Sequence, residues 1–125
     1  QQGLSFDALQ LRLHPAESRI RKLAAETPAM LVAFDLLELD ARDLTTEPLQ
    51  QRRAALESFL RSEEQPALLL SPATIDRDEA LGWLARSGGA LDGVIAKRVS
   101  DPYRAGERAM VKVKQHRTAD CVVGG

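Results

Sequence analysis

Helices alternating with strands predict an α/β or α+β domain. Two observations carry that reading. Leu49, Leu56, Phe59 and Leu60 recur at helical spacing, whereas residues 30–39, 67–70, 92–98 and 109–115 are short, apolar or alternating, and rich in Val, Ile and Leu. A chain of 125 residues is one domain or a large part of one, long enough to bury a core.

Taken in order, Ser5 caps a short helix carrying Phe6, Leu9 and Leu13. Leu9, Leu11 and Leu13 also alternate as in a strand, but helix is the reading taken. Pro15 suits a first helical position, and Ile20, Leu23 and Ala24 line one face until Thr27-Pro28 stops the helix. Residues 30–39 read as a largely buried strand and 40–43 as a turn. Pro48 opens the best-patterned helix, with Gln50, Gln51, Arg52, Glu57 and Arg61 facing outward. Residues 63–66 end it, and 67–70 form a short strand. Asp76 with Glu79 resembles a capping box, starting a helix through Ala80, Leu81 and Leu84 that Gly88-Gly89 closes. Strands follow at about 92–98 and 109–115, and Cys121-Val122-Val123 begins another.

Composition narrows the function classes. The apolar and charged fractions are those of a globular chain. Aromatics are scarce, so Leu, Val, Ile and Ala must build the core. No apolar run approaches the ~18 residues of a membrane span, and no secretory leader is recognisable. The single Cys121 excludes an internal disulfide and fits a reducing cytoplasm. His14, His116 and Cys121 lack metal-ligand spacing, and no Ser/His/Asp or Cys/His arrangement is visible. A net charge of −1 hides an asymmetry. Lys97, Arg98, Arg104, Arg108, Lys112, Lys114 and Arg117 stand against only Asp101 and Glu107 in residues 97–117. Such a cluster suits phosphate or nucleic acid, although a solvated charged loop has the same composition.

The sharpest local pattern is Met110-Val111-Lys112-Val113-Lys114. In a strand, Lys112 and Lys114 share one face while Val111 and Val113 take the other. Two ammonium groups on a buried strand are costly unless an anion meets them; a phosphate would, whereas a solvent-facing edge strand would not need one. Upstream, Asp92-Gly93 puts a carboxylate at a strand entrance, which suits a metal ligand or simple turn chemistry. Alternation sets Lys97 opposite Asp92 unless Gly93 introduces a bulge. Phe34 is either a core aromatic or a flat platform for a base. Asp35, inside an apolar run, reads as a structural acceptor of backbone or arginine hydrogen bonds.

Three segments together resemble the ATP-dependent DNA ligases of the lysine-adenylating nucleotidyltransferase superfamily, most of all the small bacterial ones. They are Leu31-Val32-Ala33-Phe34-Asp35-Leu36-Leu37, Asp92-Gly93-Val94-Ile95-Ala96-Lys97-Arg98, and the lysine-bearing strand. Asp40 to Leu44, Pro48-Leu49, Arg52-Arg53 and the tail from Arg117 are also similar, so the resemblance runs from about residue 5 to 125. It implies a mixed, largely antiparallel sheet packed with helices. Residues 1–115 would be the C-terminal part of an adenylation domain, and 116–125 a hinge and the start of an OB-fold domain. It further implies ATP and Mg2+ or Mn2+ as cofactors, and nicked duplex DNA as substrate. Phe34 would stack on adenine, Arg108 approach the nucleotide, Lys112 and Lys114 hold the α-phosphate, and Asp92 contact metal. The family usually has glutamate at that last position, and often tryptophan where Met110 stands.

The family's nucleophile is a lysine in the pattern Lys-x-Asp-Gly. None of Lys22, Lys97, Lys112 and Lys114 has it, and the Asp-Gly-Glu motif is missing too. The chain is therefore expected to be a piece of a bacterial cytoplasmic enzyme, partnered by an N-terminal segment and an OB-fold domain of the same protein, with no membrane partner. The alternatives are a catalytically silent nucleotide- or nick-binding module, or part of an RNA ligase or capping enzyme.

Overall fold

The computed structural model describes residues 5–13, 15–63, 65–87 and 91–115. Among the described residues ten elements follow one another: α1 (Phe6–Gln10), α2 (Glu17–Glu26), β1 (Leu31–Ala33), β2 (Glu38–Leu39), β3 (Arg42–Asp43), α3 (Leu49–Ser62), β4 (Leu68–Leu70), α4 (Arg77–Ala85), β5 (Val94–Lys97) and β6 (Met110–Val113). Helix and strand are mixed, as the patterning predicts. The described strands form three separate two-stranded ladders, not one sheet. β1 pairs with β4 in parallel, whereas β2–β3 and β5–β6 are antiparallel.

The caps follow from the sequence with small shifts. Ser5 accepts from the Ala8 N–H at 3.2 Å, opening α1. Asp76 accepts from the Asp78 and Glu79 N–H groups, but the Asp76 N–H donates to Thr74 Oγ1, so the box is half formed. Pro48 is the N-cap of α3, not its first residue: its ψ is extended while its carbonyl accepts from Gln51 and Arg52. Pro15 likewise precedes the cap of α2 at Ala16. Asp40 and Ala41 both take positive φ, the twist a tight hairpin requires, and join β2 to β3. Gly88, Gly89 and residues 116–125, with the expected helix stop, hinge and next strand, lie outside the described residues.

Residues 30–39 are not one buried strand. β1 ends at Ala33 and pairing resumes only at Glu38, because Asp35 turns its carboxylate onto the Leu36 N–H and the side chain of Arg52. Leu31 and Val32 are exposed, since β1 pairs only with β4 among the described strands.

The best-buried position is Leu56, 2% exposed, in the middle of α3. α3 packs on β4, and α4 on β5. Arg52 faces inward rather than outward and is only 3% exposed. It lies on the same stripe as Leu49 and Leu56, one turn before the latter. The start of α3 is also fastened to the chain after β5. The Leu49 and Gln50 N–H groups, without partners inside their own helix, donate to the Asp101 and Val99 carbonyls at 3.0 Å each. Tyr103 donates its N–H to the Thr45 carbonyl at 2.8 Å.

Candidate functional site

β5 and β6 run antiparallel with Val94 opposite Val113 and Lys97 opposite Met110. Just before the ladder, Gly93 has φ +149°, and a Cβ there would stand 2.2 Å from the Val113 carbonyl oxygen. Only glycine lets the two backbones approach this closely. The approach brings Asp92 to the end of β6. Lys112 Nζ lies 2.5 Å and Lys114 Nζ 2.8 Å from the same oxygen, Asp92 Oδ2. Alternation does put the two lysines on one face, but β6 is not buried: Met110, Val111 and Lys112 are exposed. The anion that meets the ammonium groups here is Asp92 itself.

Hydrogen bonds from Lys112 and then Lys114 pull the Asp92 carboxyl down to about 2. The hydrogen bond to Asp92 raises Lys114 above the usual lysine range. All three side chains are open to water, so these pairs add little stability and cost little to exchange for another anion. Among the described residues, no group of three or more His, Cys, Asp or Glu gathers for a metal. Asp92 offers one carboxylate, already facing two cations.

A second cluster lies around the end of β1. Asp35 accepts from Arg52 through both oxygens, at 2.9 and 3.0 Å, so its predicted structural role is what the geometry gives. Burial pushes its carboxyl up, but Arg52, with Lys97 and the Leu36 N–H, outweighs that and holds it below the usual range. Arg52 also donates through Nη1 to the Glu47 and Asp101 carbonyls. Lys97 approaches Asp35 Oδ2 at 3.7 Å, so it serves this cluster and not Asp92. The Phe34 ring is 64% exposed and is no core aromatic. Arg108 lies exposed on the loop into β6.

A cavity of about 140 Å³ opens beside this cluster, lined by Asp35, Arg52, Lys97, Tyr103, Arg104 and Met110 among others. It is smaller than the roughly 300 Å³ at which small-molecule pockets begin. Neither Phe34 nor the Asp92 cluster lines it, so both lie outside the cavity. The sequence reading missed Arg52 as a buried group and Lys97 as its neighbour. The available signal was an arginine in the apolar stripe of α3, matched by an aspartate in an apolar run.

Comparison with known proteins bears on this geometry. The family model described as "ATP dependent DNA ligase domain" matches residues 1–114. The chain belongs to this family. It is 53% identical over 123 residues to DNA ligase C2 of Mycolicibacterium smegmatis, covering 98% of this chain and 34% of that protein. To DNA ligase C of Mycobacterium tuberculosis it is 50% identical over 127 residues, covering 98% of this chain and 36% of the relative. A probable DNA ligase of Sorangium cellulosum is 41% identical over 105 residues, 81% of this chain and 19% of that protein. The chain thus spans about a third of the length of the mycobacterial ligases it matches. Among the described residues of this ligase-family chain, no helix is long and apolar enough to cross a membrane.

Proposed function

We propose that this chain is the C-terminal part of the adenylation domain of an ATP-dependent DNA ligase, which joins 5′-phosphate and 3′-hydroxyl ends at nicks in duplex DNA. In this reading residues 1–115 belong to that domain, and 116–125 are the hinge and first residues of an OB-fold domain. The observation that carries it is the convergence of Lys112 and Lys114 on one anionic oxygen, within a chain that matches the family over residues 1–114. Two ammonium groups that meet one carboxylate oxygen are spaced to meet one phosphate oxygen set. An α-phosphate entering here would take over the lysines, which would then stabilise charge as it develops in adenylyl transfer. Phe34 would offer its exposed face to adenine, and Arg108 would reach the nucleotide from its loop.

The donor set fits a magnesium or manganese ion arriving on the triphosphate. Small hard cations often take one or two carboxylates and complete their shells with phosphate oxygens and water. Asp92 would supply the carboxylate, and the bound ion would neutralise triphosphate charge. The nucleophile belongs to a residue in a Lys-x-Asp-Gly motif, which none of the chain's four lysines has.

The test uses the complete protein and nicked DNA. Lys114→Ala should abolish sealing and Lys112→Ala impair it severely, with a loss of roughly 3–4 kcal/mol of transition-state stabilisation, by analogy with an oxyanion-hole donor. Near-normal sealing in both variants would overturn the reading. Incubated alone with labelled ATP and magnesium, the 125-residue chain should form no covalent adenylate. Labelling that mapped to any of its lysines would contradict the assignment of the nucleophile.

A further inference from the structure

One lysine joins the buried charge pair to the exposed ring. Asp35 is already satisfied by the two-pronged contact from Arg52, which is itself buried. Lys97 is therefore not needed to neutralise it. Yet Lys97, the last residue of β5, reaches across to this carboxylate and sets its ammonium 5.0 Å from the centroid of the Phe34 ring. Phe34 sits just past the end of β1, on a stretch with no strand partner among the described residues, so the β1–β4 ladder does not fix its ring.

We propose that Lys97 is a positioning residue for Phe34: its ammonium holds one face of the ring and leaves the other to the purine of ATP. The proposal deepens the ligase reading and rests on Phe34 being a base platform. Three physical effects act together. The attraction between the cation and the ring's negative face favours one ring orientation before nucleotide arrives. Occupation of that face by a charged group denies it to a base, so stacking is directed to one side. A cation behind the ring also draws π density away from the open face, which favours an electron-rich purine there. The ammonium in turn is located by Asp35, and Asp35 by Arg52, which lies buried on α3 and bonds two backbone carbonyls besides. The line of support thus runs from a buried helix position to the ring surface.

The experiment measures self-adenylation of the complete protein across ATP concentrations. It compares the wild type with Lys97→Met, Lys97→Arg, Phe34→Leu and the double variant Lys97→Met/Phe34→Leu. Arg52 still pairs with Asp35 in all of them, and thermal melting checks that each folds; Lys97→Gln replaces Lys97→Met if that variant does not. The expected result is a rise of roughly two- to fivefold in the KM for ATP with Lys97→Met, the scale of an exposed cation–ring contact. The rate at saturating ATP should move much less. Lys97→Arg, which keeps a cation over the ring, should recover most of the loss. In the Phe34→Leu background, Lys97→Met should add nothing further. If Phe34→Leu raises the KM and Lys97→Met does not, or if Lys97→Met acts equally in both backgrounds, Lys97 does not work through the ring and the proposal is wrong. If Phe34→Leu leaves the KM where it was, the platform reading falls first and this proposal with it.

Discussion

Gly93→Ala is the sharpest test of how the Asp92 cluster is assembled. The added methyl would begin 2.2 Å from the Val113 carbonyl oxygen and 3.1 Å from its carbon, where ordinary contacts begin at 3.4 Å. The obstacle is backbone, so no side chain can swing aside. Residue 93 also holds φ +149°, which an L side chain rarely adopts. Backbone strain of this kind costs about 1–3 kcal/mol, and overpacking a further ~1–3 kcal/mol. The sum, roughly 2–6 kcal/mol, is a large share of the ~5–15 kcal/mol that holds most domains folded. The chain can escape part of it by letting the end of β6 swing away from β5, which separates Asp92 from Lys112 and Lys114. Gly106→Ala is the control, because Gly106 has φ +77° but nothing within 4 Å of its absent Cβ. It should cost only the left-handed strain, about 1–2 kcal/mol. Urea unfolding of both variants gives the comparison, read as a change in midpoint at constant slope. Carboxylate NMR reports whether Asp92 still titrates near 2. If Gly93→Ala costs no more than Gly106→Ala and Asp92 titrates as before, the close approach at Gly93 does not assemble the cluster.

Phe34→Leu in the complete protein should raise the ATP requirement for adenylation by roughly 5- to 150-fold, the loss of about 1–3 kcal/mol of base stacking. Its melting temperature should hardly move, because the ring is mostly exposed; a clear fall in melting temperature at unchanged ATP requirement would assign the ring to packing instead. Asp92 has its folded-state pKa depressed from 3.8 to about 2, so its pairing contributes above the ordinary carboxylate range. That contribution fades as pH falls from about 4 through 2. The double variant Lys112→Met/Lys114→Met should return the Asp92 midpoint toward 3.8, and an unmoved midpoint would show that the lysines are not its cause. Arg52→Met should cost about 3–5 kcal/mol, the scale for breaking a buried pair, and Asp35→Leu added to it should recover much of the loss. Denaturant unfolding checks both, and a near-neutral Arg52→Met would mean that Asp35 has another adequate partner.

The elements that the sequence made legible are those governed by local rules. Asp76 caps α4 because an aspartate side chain reaches two N–H groups in its own first turn, and β5 and β6 fall within the two short stretches, 92–98 and 109–115, that read as strands. Lys112 and Lys114 fall on one face because side chains alternate along a strand. What was not legible depended on partners distant in sequence. Arg52 looks outward when its helix is read alone, because charge ordinarily marks the wet face. Its inward turn is set by Asp35, seventeen positions earlier, and neither burial is affordable without the other. The same contact broke the expected strand over 30–39. The anion for the lysine pair was anticipated as a ligand, yet Asp92 meets it first, since Gly93 brings that carboxylate within reach in a way residue spacing does not reveal.

The attachment of the chain after β5 to the first turn of α3 constrains length more than identity. The bonds from Leu49 and Gln50 use the carbonyls of Asp101 and Val99, not their side chains, and Arg52 Nη1 also takes the Asp101 carbonyl. Any residue supplies a carbonyl, so Val99, exposed as it is, is open to substitution. A single insertion or deletion between Arg98 and Asp101 would instead put the wrong carbonyls under the helix. The following turn, residues 104–107, carries no such bond to α3, so nothing there ties its length to the helix. Lineages of this domain should therefore accumulate gaps after Tyr103 and almost none in the few residues before it.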